Sequence, residues 1–280
     1  MPLRVLVTND DGVEAPGLRA VAEALAEAGH DVVVVAPAGD CSGQAAALGP
    51  LHISGQVEFD RVAVGDLDAF SVHGPPALCV MAACLSGFGP RPDVVVSGIN
   101  AGANTGRAVL HSGTVGAVLT GLNAGVPGLA VSQAVTWTFG QGTAPGSGVV
   151  PGVVKGDPTE WSSAAALAVN LIEGVAALRP PVAVNLNVPN RALSAIGGMV
   201  MAQLDPGGRV QATMVERQAG VLEINIPERP AAREGTDTAL LEAGYATVTA
   251  LAGPHAVEVG LAALCAQAEA EMERQARRPA

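Results

Sequence analysis

Two adjacent carboxylates, Asp10 and Asp11, follow the short apolar segment Arg4–Thr8 within the run NDDG at 9–12. Neighbouring negative charges repel each other, so a bound cation or nearby hydrogen-bond donors would favour the ionisation of both groups. The same four residue types are also common in ordinary turns. Taken alone, the pair indicates either a cation site or a plain turn, and the fold around it has to decide.

Two further segments place neutral oxygen and amide groups after apolar strands. The run SGINAGAN at 97–104 contains Asn100 and Asn104, together with glycines that let the backbone approach a ligand. Ser42 follows the second apolar segment and by itself is typical of a solvent-exposed loop. The glycine spacing is not that of the GxGxxG fingerprint, so no motif supports a dinucleotide site.

The run SGTVGA at 112–117 places hydroxyls and free backbone amides at the start of a predicted helix. Ser112, Gly113 and Thr114 would suit a phosphate there, because unpaired N–H groups at a helix start attract anions. A plain N-cap is the alternative. All four polar segments follow successive strands or begin the helices after them, and ligands bind at that edge of open parallel sheets. This convergence favours one shared site.

The elements that must position these residues are short β-branched strands alternating with helices. Segments 4–8 and 31–36 flank a helix that starts near Gly17, which predicts a right-handed βαβ unit with parallel strands. Further strands are predicted at 93–97, 126–132, 182–187 and 246–251, and further helices at 76–85, 113–123, 160–173, 236–243 and 256–274. The fold class is therefore α/β.

Three regions are assigned from composition rather than from a clear strand or helix period. Residues 133–157 are rich in Gly, Pro, Ser and Thr and predict a long loop, which we expect to be flexible. Residues 197–227 contain two alternating segments suited to a hairpin or arm. The simplest division is a core domain at 1–190 followed by an accessory region at 191–280.

Composition excludes several classes of partner. The chain has 280 residues, a formal net charge of −11 and a single lysine, so a surface for nucleic acid or an anionic membrane lacks its electrostatic basis. An uninterrupted apolar run of spanning length is absent from the sequence, and the apolar segment before Asn9 is too short for a signal-peptide core. The four cysteines have no metal-type spacing. We expect a cytoplasmic protein.

Five motifs resemble, in the same order, the survival protein SurE family. They are VTNDDG at 7–12, AP followed by SG within 36–43, SGINAGAN at 97–104, SGTVGA at 112–117 and GTDTALLEAGYATVTAL at 235–251. The resemblance implies a metal-dependent 5′-nucleotidase that hydrolyses nucleoside monophosphates. It also implies a Rossmann-like three-layer α/β/α core, with a C-terminal β-arm and helix used to form a homodimer or homotetramer.

The resemblance carries specific roles onto matching residues. The implied ligands of one divalent ion per subunit, Mg²⁺ or Mn²⁺, are Asp10, Asp11, Ser42 and Asn100. The implied phosphate-binding residues are Asn104, Ser112, Gly113 and Thr114. Asp10 and Asp11 are also the implied catalytic residues, either through a metal-activated water or by direct attack on phosphorus. Asp237 matches a family aspartate, for which a role at a helix start is the simpler interpretation.

The sequence departs from the family pattern at three places close to these motifs. Cys41 stands where the family usually has arginine, GPPALC at 74–79 replaces GTPADC, and His111 replaces a tyrosine. Two alternatives to the nucleotidase therefore stay open. One is a phosphatase of another monoester or of short polyphosphate, and the other is a non-catalytic, metal-dependent nucleotide-binding module.

Overall fold

The computed structural model describes residues 1–49, 55–134, 137–139, 153–155, 161–206, 213–225, 231–256 and 260–276. The strands are β1 (Arg4–Thr8), β2 (Asp31–Pro37), β3 (Phe59–Val64), β4 (Leu67–Val72), β5 (Val94–Ala101), β6 (Gly128–Gln133), β7 (Trp137–Phe139), β8 (Val153–Lys155), β9 (Ala183–Val188), β10 (Met199–Met201), β11 (Thr213–Gln218), β12 (Val221–Asn225) and β13 (Ala246–Leu251). The helices are α1 (Pro16–Glu27), α2 (Pro76–Cys84), α3 (Gly113–Asn123), α4 (Trp161–Ala177), α5 (Asp237–Glu242) and α6 (Ala262–Ala276), with 3₁₀ turns at Gly106–His111 and Leu193–Ala195.

Nine strands form the central sheet, in the order β10-β13-β9-β6-β5-β1-β2-β4-β3. Neighbouring strands are parallel except for the pairs β3–β4 and β9–β13. From β1 the chain first adds strands on the β2 side and then returns to add β5 on the other side. The order therefore reverses between β1 and β5, which is where open α/β sheets bind ligands. The predicted parallel βαβ unit is confirmed.

Helices cover both faces of this sheet. Val5 and Val7 of β1 pack with α1 and α4, whereas Leu6 between them packs with α2 and α3 on the opposite face. Strands enclosed in this way bury the side chains of both faces along most of their length, which explains their continuous β-branched runs. Among the helices of the described residues, none has the length and apolarity needed to cross a lipid bilayer.

The structure differs from the sequence-based expectation in three regions. Strands β3 and β4 form an unpredicted hairpin at the sheet edge, where β3 is mostly exposed. The predicted loop at 133–157 contains the antiparallel ribbon β7–β8, so it is not structureless throughout, and the rest of it lies mostly outside the described residues. Strands β10 and β13 join the central sheet beyond β9, so the chain after residue 190 adds two strands to it. The boundary at 190 stays a prediction.

Candidate functional site

The loop that follows β1 is held by its first residue, Asn9. The Asn9 side chain donates from Nδ2 to the Gly12 carbonyl at 2.9 Å, and its Oδ1 accepts from the Gly12 N–H at 3.2 Å. Asn9 is fully buried, so these two bonds close the turn from inside. The turn therefore presents Asp10 and Asp11 at the carboxyl end of β1, beside the point where the strand order reverses.

Asp10 lies against the start of α3. Its Oδ1 accepts a hydrogen bond of 2.6 Å from the Thr114 hydroxyl, and a Cβ on Gly113 would lie only 2.7 Å from its Oδ2. Burial raises the pKa of Asp10 from 3.8 to about 6; the Thr114 bond opposes this rise and the charge of Asp11 adds to it. A buried carboxylate that is costly to ionise gains from a nearby cation.

The loop after β2 brings Ser42 to the same place. The backbone N–H of Cys41 donates to the Asp10 carbonyl at 2.7 Å, and the Ser42 N–H donates to Asp40 Oδ1 at 2.8 Å. Ser42 is exposed, so its hydroxyl is open to a ligand. Burial raises the pKa of the Cys41 thiol, with further contributions from Asp40 and Asp10, so this thiol is a poor nucleophile.

Asn100 completes the oxygen set from β5, the other neighbour of β1 in the sheet. Its Nδ2 donates to the Gly102 carbonyl at 2.7 Å, which commits the amide nitrogen and leaves Oδ1 as the atom to offer a ligand. Two carboxylates, a hydroxyl and an amide oxygen are hard donors that suit Mg²⁺ or Mn²⁺. The residues present fit such an ion.

Asn104 is fixed by two buried asparagines of β9. Its carbonyl accepts from Asn185 Nδ2 at 2.8 Å and from Asn187 Nδ2 at 3.0 Å, while its N–H donates to Asn187 Oδ1 at 2.7 Å. The Asn104 side chain donates to the Ser132 hydroxyl on β6 at 2.8 Å. The site therefore draws on the carboxyl ends of five neighbouring strands, β2, β1, β5, β6 and β9.

The two hydroxyls at the start of α3 have different hydrogen-bond capacity. Ser112 Oγ is the N-cap and accepts from the Val115 N–H at 3.1 Å, so its own proton stays available for a phosphoryl oxygen. Thr114 donates its single hydroxyl proton to Asp10. Thr114 consequently serves the carboxylate directly, a link to the acidic pair that sequence reasoning did not reveal.

Comparison with known proteins decides the family. The family model described as Survival protein SurE matches residues 5–208, well over half of the chain. The chain belongs to the SurE family. A 5′-nucleotidase SurE of Aeromonas hydrophila is 34% identical over 258 residues, covering 89% of this chain and 92% of the relative. A 5′-nucleotidase SurE of Geobacter metallireducens is 40% identical over 201 residues, covering 71% of this chain and 69% of the relative.

The crystal structure of the SurE protein from Aquifex aeolicus shares the fold. It matches with a TM-score of 0.69 and 26% identity, covering 96% of this chain and 99% of that chain. The expected parallel-sheet α/β core flanked by helices is thereby confirmed, whereas the role of the C-terminal arm in assembly stays a prediction. Within the described part of the chain, no group of three or more His, Cys, Asp or Glu side chains could hold a metal ion.

Sequence reasoning missed several residues that organise this SurE site. Asn185 and Asn187 are fully buried at alternate positions of the strand AVNLNV, and polar residues two apart in a buried strand were the available signal. Asn9 appeared only as part of a turn. Asp237 is fully buried and binds backbone groups far from it in sequence, which a helix-start role did not suggest.

Proposed function

We propose that this protein is a divalent-metal-dependent 5′-nucleotidase that releases phosphate from nucleoside monophosphates. One observation carries the proposal: a buried acidic residue, Asp10, is hydrogen-bonded at 2.6 Å to Thr114 at a helix start suited to phosphate. A proposed cation site beside a proposed anion site suits phosphate-ester hydrolysis, because negative charge on the phosphoryl oxygens has to be stabilised during the reaction. The names of the two nucleotidase relatives support the same activity.

The residues proposed to hold the metal are Asp10, Asp11, Ser42 and Asn100. When bound, Mg²⁺ or Mn²⁺ supplies positive charge that offsets the charge developing on the phosphoryl group. The start of α3, with Ser112 and Gly113, binds the remaining phosphoryl oxygens through unpaired N–H groups and a hydroxyl. Asn104, in the loop after β5, is proposed to contact the same group, and Thr114 keeps Asp10 in place.

Two nucleophiles are compatible with this arrangement: a water molecule, or a carboxylate of Asp10 or Asp11. Attack by a carboxylate forms an acyl phosphate as the nucleoside oxygen leaves with the bonding electrons and takes up a proton from water. A further water molecule then hydrolyses the acyl phosphate, which releases inorganic phosphate and restores the carboxylate. Borohydride reduction after an acid quench would convert that acyl phosphate to homoserine, which mass spectrometry detects at position 10 or 11. Absence of homoserine at both positions in samples quenched during turnover would favour direct attack by water.

A panel of phosphate compounds tests the function. Nucleoside 5′-monophosphates, 3′-monophosphates, p-nitrophenyl phosphate and tripolyphosphate are compared with Mn²⁺, with Mg²⁺ and with a chelator, reading phosphate release. We expect the highest kcat/KM for a 5′-monophosphate and no activity with the chelator or in Asp10→Asn. A preference for tripolyphosphate or another ester would favour the alternative phosphatase. Nucleotide binding without turnover of any compound would favour a binding module.

We also propose a cytoplasmic homo-oligomer. All four cysteines are free thiols, which fits a reducing compartment. The hairpin β11–β12 exposes Met214 and Leu222, each with 62% of its surface accessible. Apolar side chains on a projecting hairpin favour burial against another subunit, so the accessory region is the proposed site of assembly.

A further inference from the structure

Asp237 binds backbone amides from three separate stretches of the chain. Its Oδ2 accepts from the Gly106 N–H at 2.8 Å, and its Oδ1 accepts from the N–H groups of Asp205 at 2.9 Å and Thr238 at 2.8 Å. The residue is fully buried. A buried carboxylate is expensive to desolvate, and these bonds to its charged oxygens offset that cost. Removing one of them therefore has a large local effect.

Gly106 lies between the two groups of proposed phosphate-binding residues. Asn104 is two positions before it, and the 3₁₀ turn Gly106–His111 leads directly from it to Ser112. Asn104 is held by hydrogen bonds to β9, and Ser112 is held in position as the N-cap of helix α3. The connection between them is anchored to the C-terminal region at Gly106, through Asp237.

Gly106 packs too closely against the backbone of Asp205 to carry a side chain. Gly106 has a φ of +57°, and a Cβ there would lie 2.9 Å from the Asp205 carbonyl oxygen. Asp205 is in turn held by Asp237, whose own N–H donates to the Gln203 carbonyl at 2.8 Å. The backbone at 203–206 and the start of α5 are therefore bonded to each other, and together they hold the loop that contains Gly106.

We propose that Asp237 is a positioning residue for phosphate binding, which holds Gly106 and thereby fixes the path of the loop that connects Asn104 with Ser112. The inference rests on the proposed nucleotidase function and deepens it. It ties substrate affinity to a region that follows the metal-binding motifs by more than a hundred residues, since 131 positions separate Gly106 from Asp237.

The substitution Asp237→Asn separates the bonds that matter. Asparagine offers one acceptor oxygen, which satisfies two N–H groups if it takes the Oδ1 position facing Asp205 and Thr238. Its NH₂ group then faces the Gly106 N–H, donor against donor. The variant therefore keeps the bonds to Asp205 and Thr238 and loses the bond to Gly106. Leu241→Ala is the matched control, because it truncates a buried side chain of the same helix α5 that is not bonded to Gly106.

The experiment uses the full-length chain and three measurements. Hydrogen exchange followed by mass spectrometry reports the Gly106 region, calorimetry with inorganic phosphate in the presence of Mn²⁺ gives phosphate affinity, and steady-state kinetics gives KM and kcat for a nucleoside 5′-monophosphate. For Asp237→Asn we expect faster exchange around Gly106, a phosphate Kd and a KM each raised about tenfold, little change in kcat and unchanged Mn²⁺ affinity. Leu241→Ala should lower the thermal midpoint and leave KM near wild type.

Equal KM values in Asp237→Asn and the wild type, despite faster exchange at Gly106, would overturn the inference, as would a similar rise in KM in Leu241→Ala. If Asp237→Asn does not fold, Gly106→Ala tests the same junction from the other side and should raise KM alike; an unchanged KM there counts against the inference. A wild-type chain that neither hydrolyses nucleotides nor binds phosphate would refute the proposed function itself. Hydrolysis by the wild type with an unaffected variant refutes the role of Asp237 alone.

Discussion

Asp10 links proton binding, proposed metal binding and stability in one side chain. Its carboxyl has a pKa of about 6 in the fold against 3.8 for the ordinary value. The folded metal-free chain therefore holds a proton on Asp10 at pH values where the unfolded chain has lost it. The stabilisation from this group is complete below about pH 4 and is lost as the pH rises through about 6.

The first prediction concerns pH. Without metal, Asp10→Asn should be more stable than the wild type above pH 6, by roughly 2–3 kcal/mol, because it removes the buried charge. Since a cation needs the ionised form of Asp10, wild-type Mn²⁺ affinity should fall about tenfold per pH unit below 6. Thermal melts and calorimetric titrations between pH 4 and 8 check both. A pH-independent Mn²⁺ affinity across this range would contradict the assignment of Asp10 as a ligand.

Ser112 and Thr114 give a second prediction, because their hydroxyl protons have different partners. Thr114→Ala removes the bond to Asp10, so the pKa of Asp10 should rise further and Mn²⁺ affinity at pH 6 should drop about tenfold. Thr114→Ser keeps a hydroxyl and should restore affinity. Ser112→Ala should instead weaken phosphate binding and cost about 1 kcal/mol as a lost N-cap, with Mn²⁺ affinity near wild type. Equal losses of Mn²⁺ affinity in both alanine variants would refute this division.

At the scale of elements, helix α3 supports the loop that carries Ser42. A Cβ on Gly116, in the first turn of α3, would lie 2.4 Å from the carbonyl carbon and oxygen of Ala45. Ala45 itself has a φ of +50°, an uncommon conformation for alanine. The loop after β2 therefore reaches its position only because the helix presents no side chain at Gly116.

The third prediction is that Gly116→Ala displaces this loop and lowers Mn²⁺ affinity about tenfold, as measured by calorimetry. Two controls are matched. Gly121→Ala, on the same helix, crowds Val95 Cγ2 at 2.8 Å in the core and should lower stability with little effect on Mn²⁺ affinity. Gly174→Ala on α4 meets open space and should raise stability by about 1 kcal/mol. Metal affinities that follow stability across all three variants would argue against the support role.

The elements best predicted from the sequence are those whose two faces are both buried. The strand Arg4–Thr8 and the helix Gly113–Asn123 have the predicted bounds, because continuous β-branched or small-apolar runs between glycines leave few alternatives. The hairpin of β3 and β4 was missed because an exposed edge strand such as FDRVAV mixes charged and apolar residues. The motifs NDDG and SGTVGA predicted that the acidic pair and the start of α3 lie beside each other. The bonds of Asn185, Asn187 and Asp237 join distant segments, and no local pattern encodes such pairings.

At the scale of the whole molecule, the hairpin β11–β12 is the surface to test for assembly. Met214 pairs with Ile224 and Glu216 with Leu222, so Met214 and Leu222 share one face while Val215 lies on the other. The alternating sequence pattern also predicts Val210, Ala212 and Ile226 on the apolar face of this hairpin, and these three residues lie outside the described residues. Exposed apolar groups on such a hairpin are an aggregation hazard unless a subunit covers them.

The fourth prediction is that light scattering of the wild type gives two or four times the chain mass of 27.8 kDa. The double variant Met214→Glu, Leu222→Glu should dissociate it, because buried charge opposes association. Val215→Glu, on the opposite face of the hairpin, is the control and should keep the wild-type mass. A wild-type mass near that of one chain at micromolar concentration would contradict assembly and leave the catalytic proposal unaffected.

The bond between Gly106 and Asp237 can form only late in the translation of the chain. The two residues are 131 positions apart, so at about 5–20 residues per second a ribosome needs roughly 7–26 s after making the loop before it makes the anchor. Until then the nascent chain carries every proposed metal ligand with an unanchored loop. Full phosphate affinity should therefore arrive late in translation, and a product cut short before α5 should bind nucleotides more weakly than the complete chain.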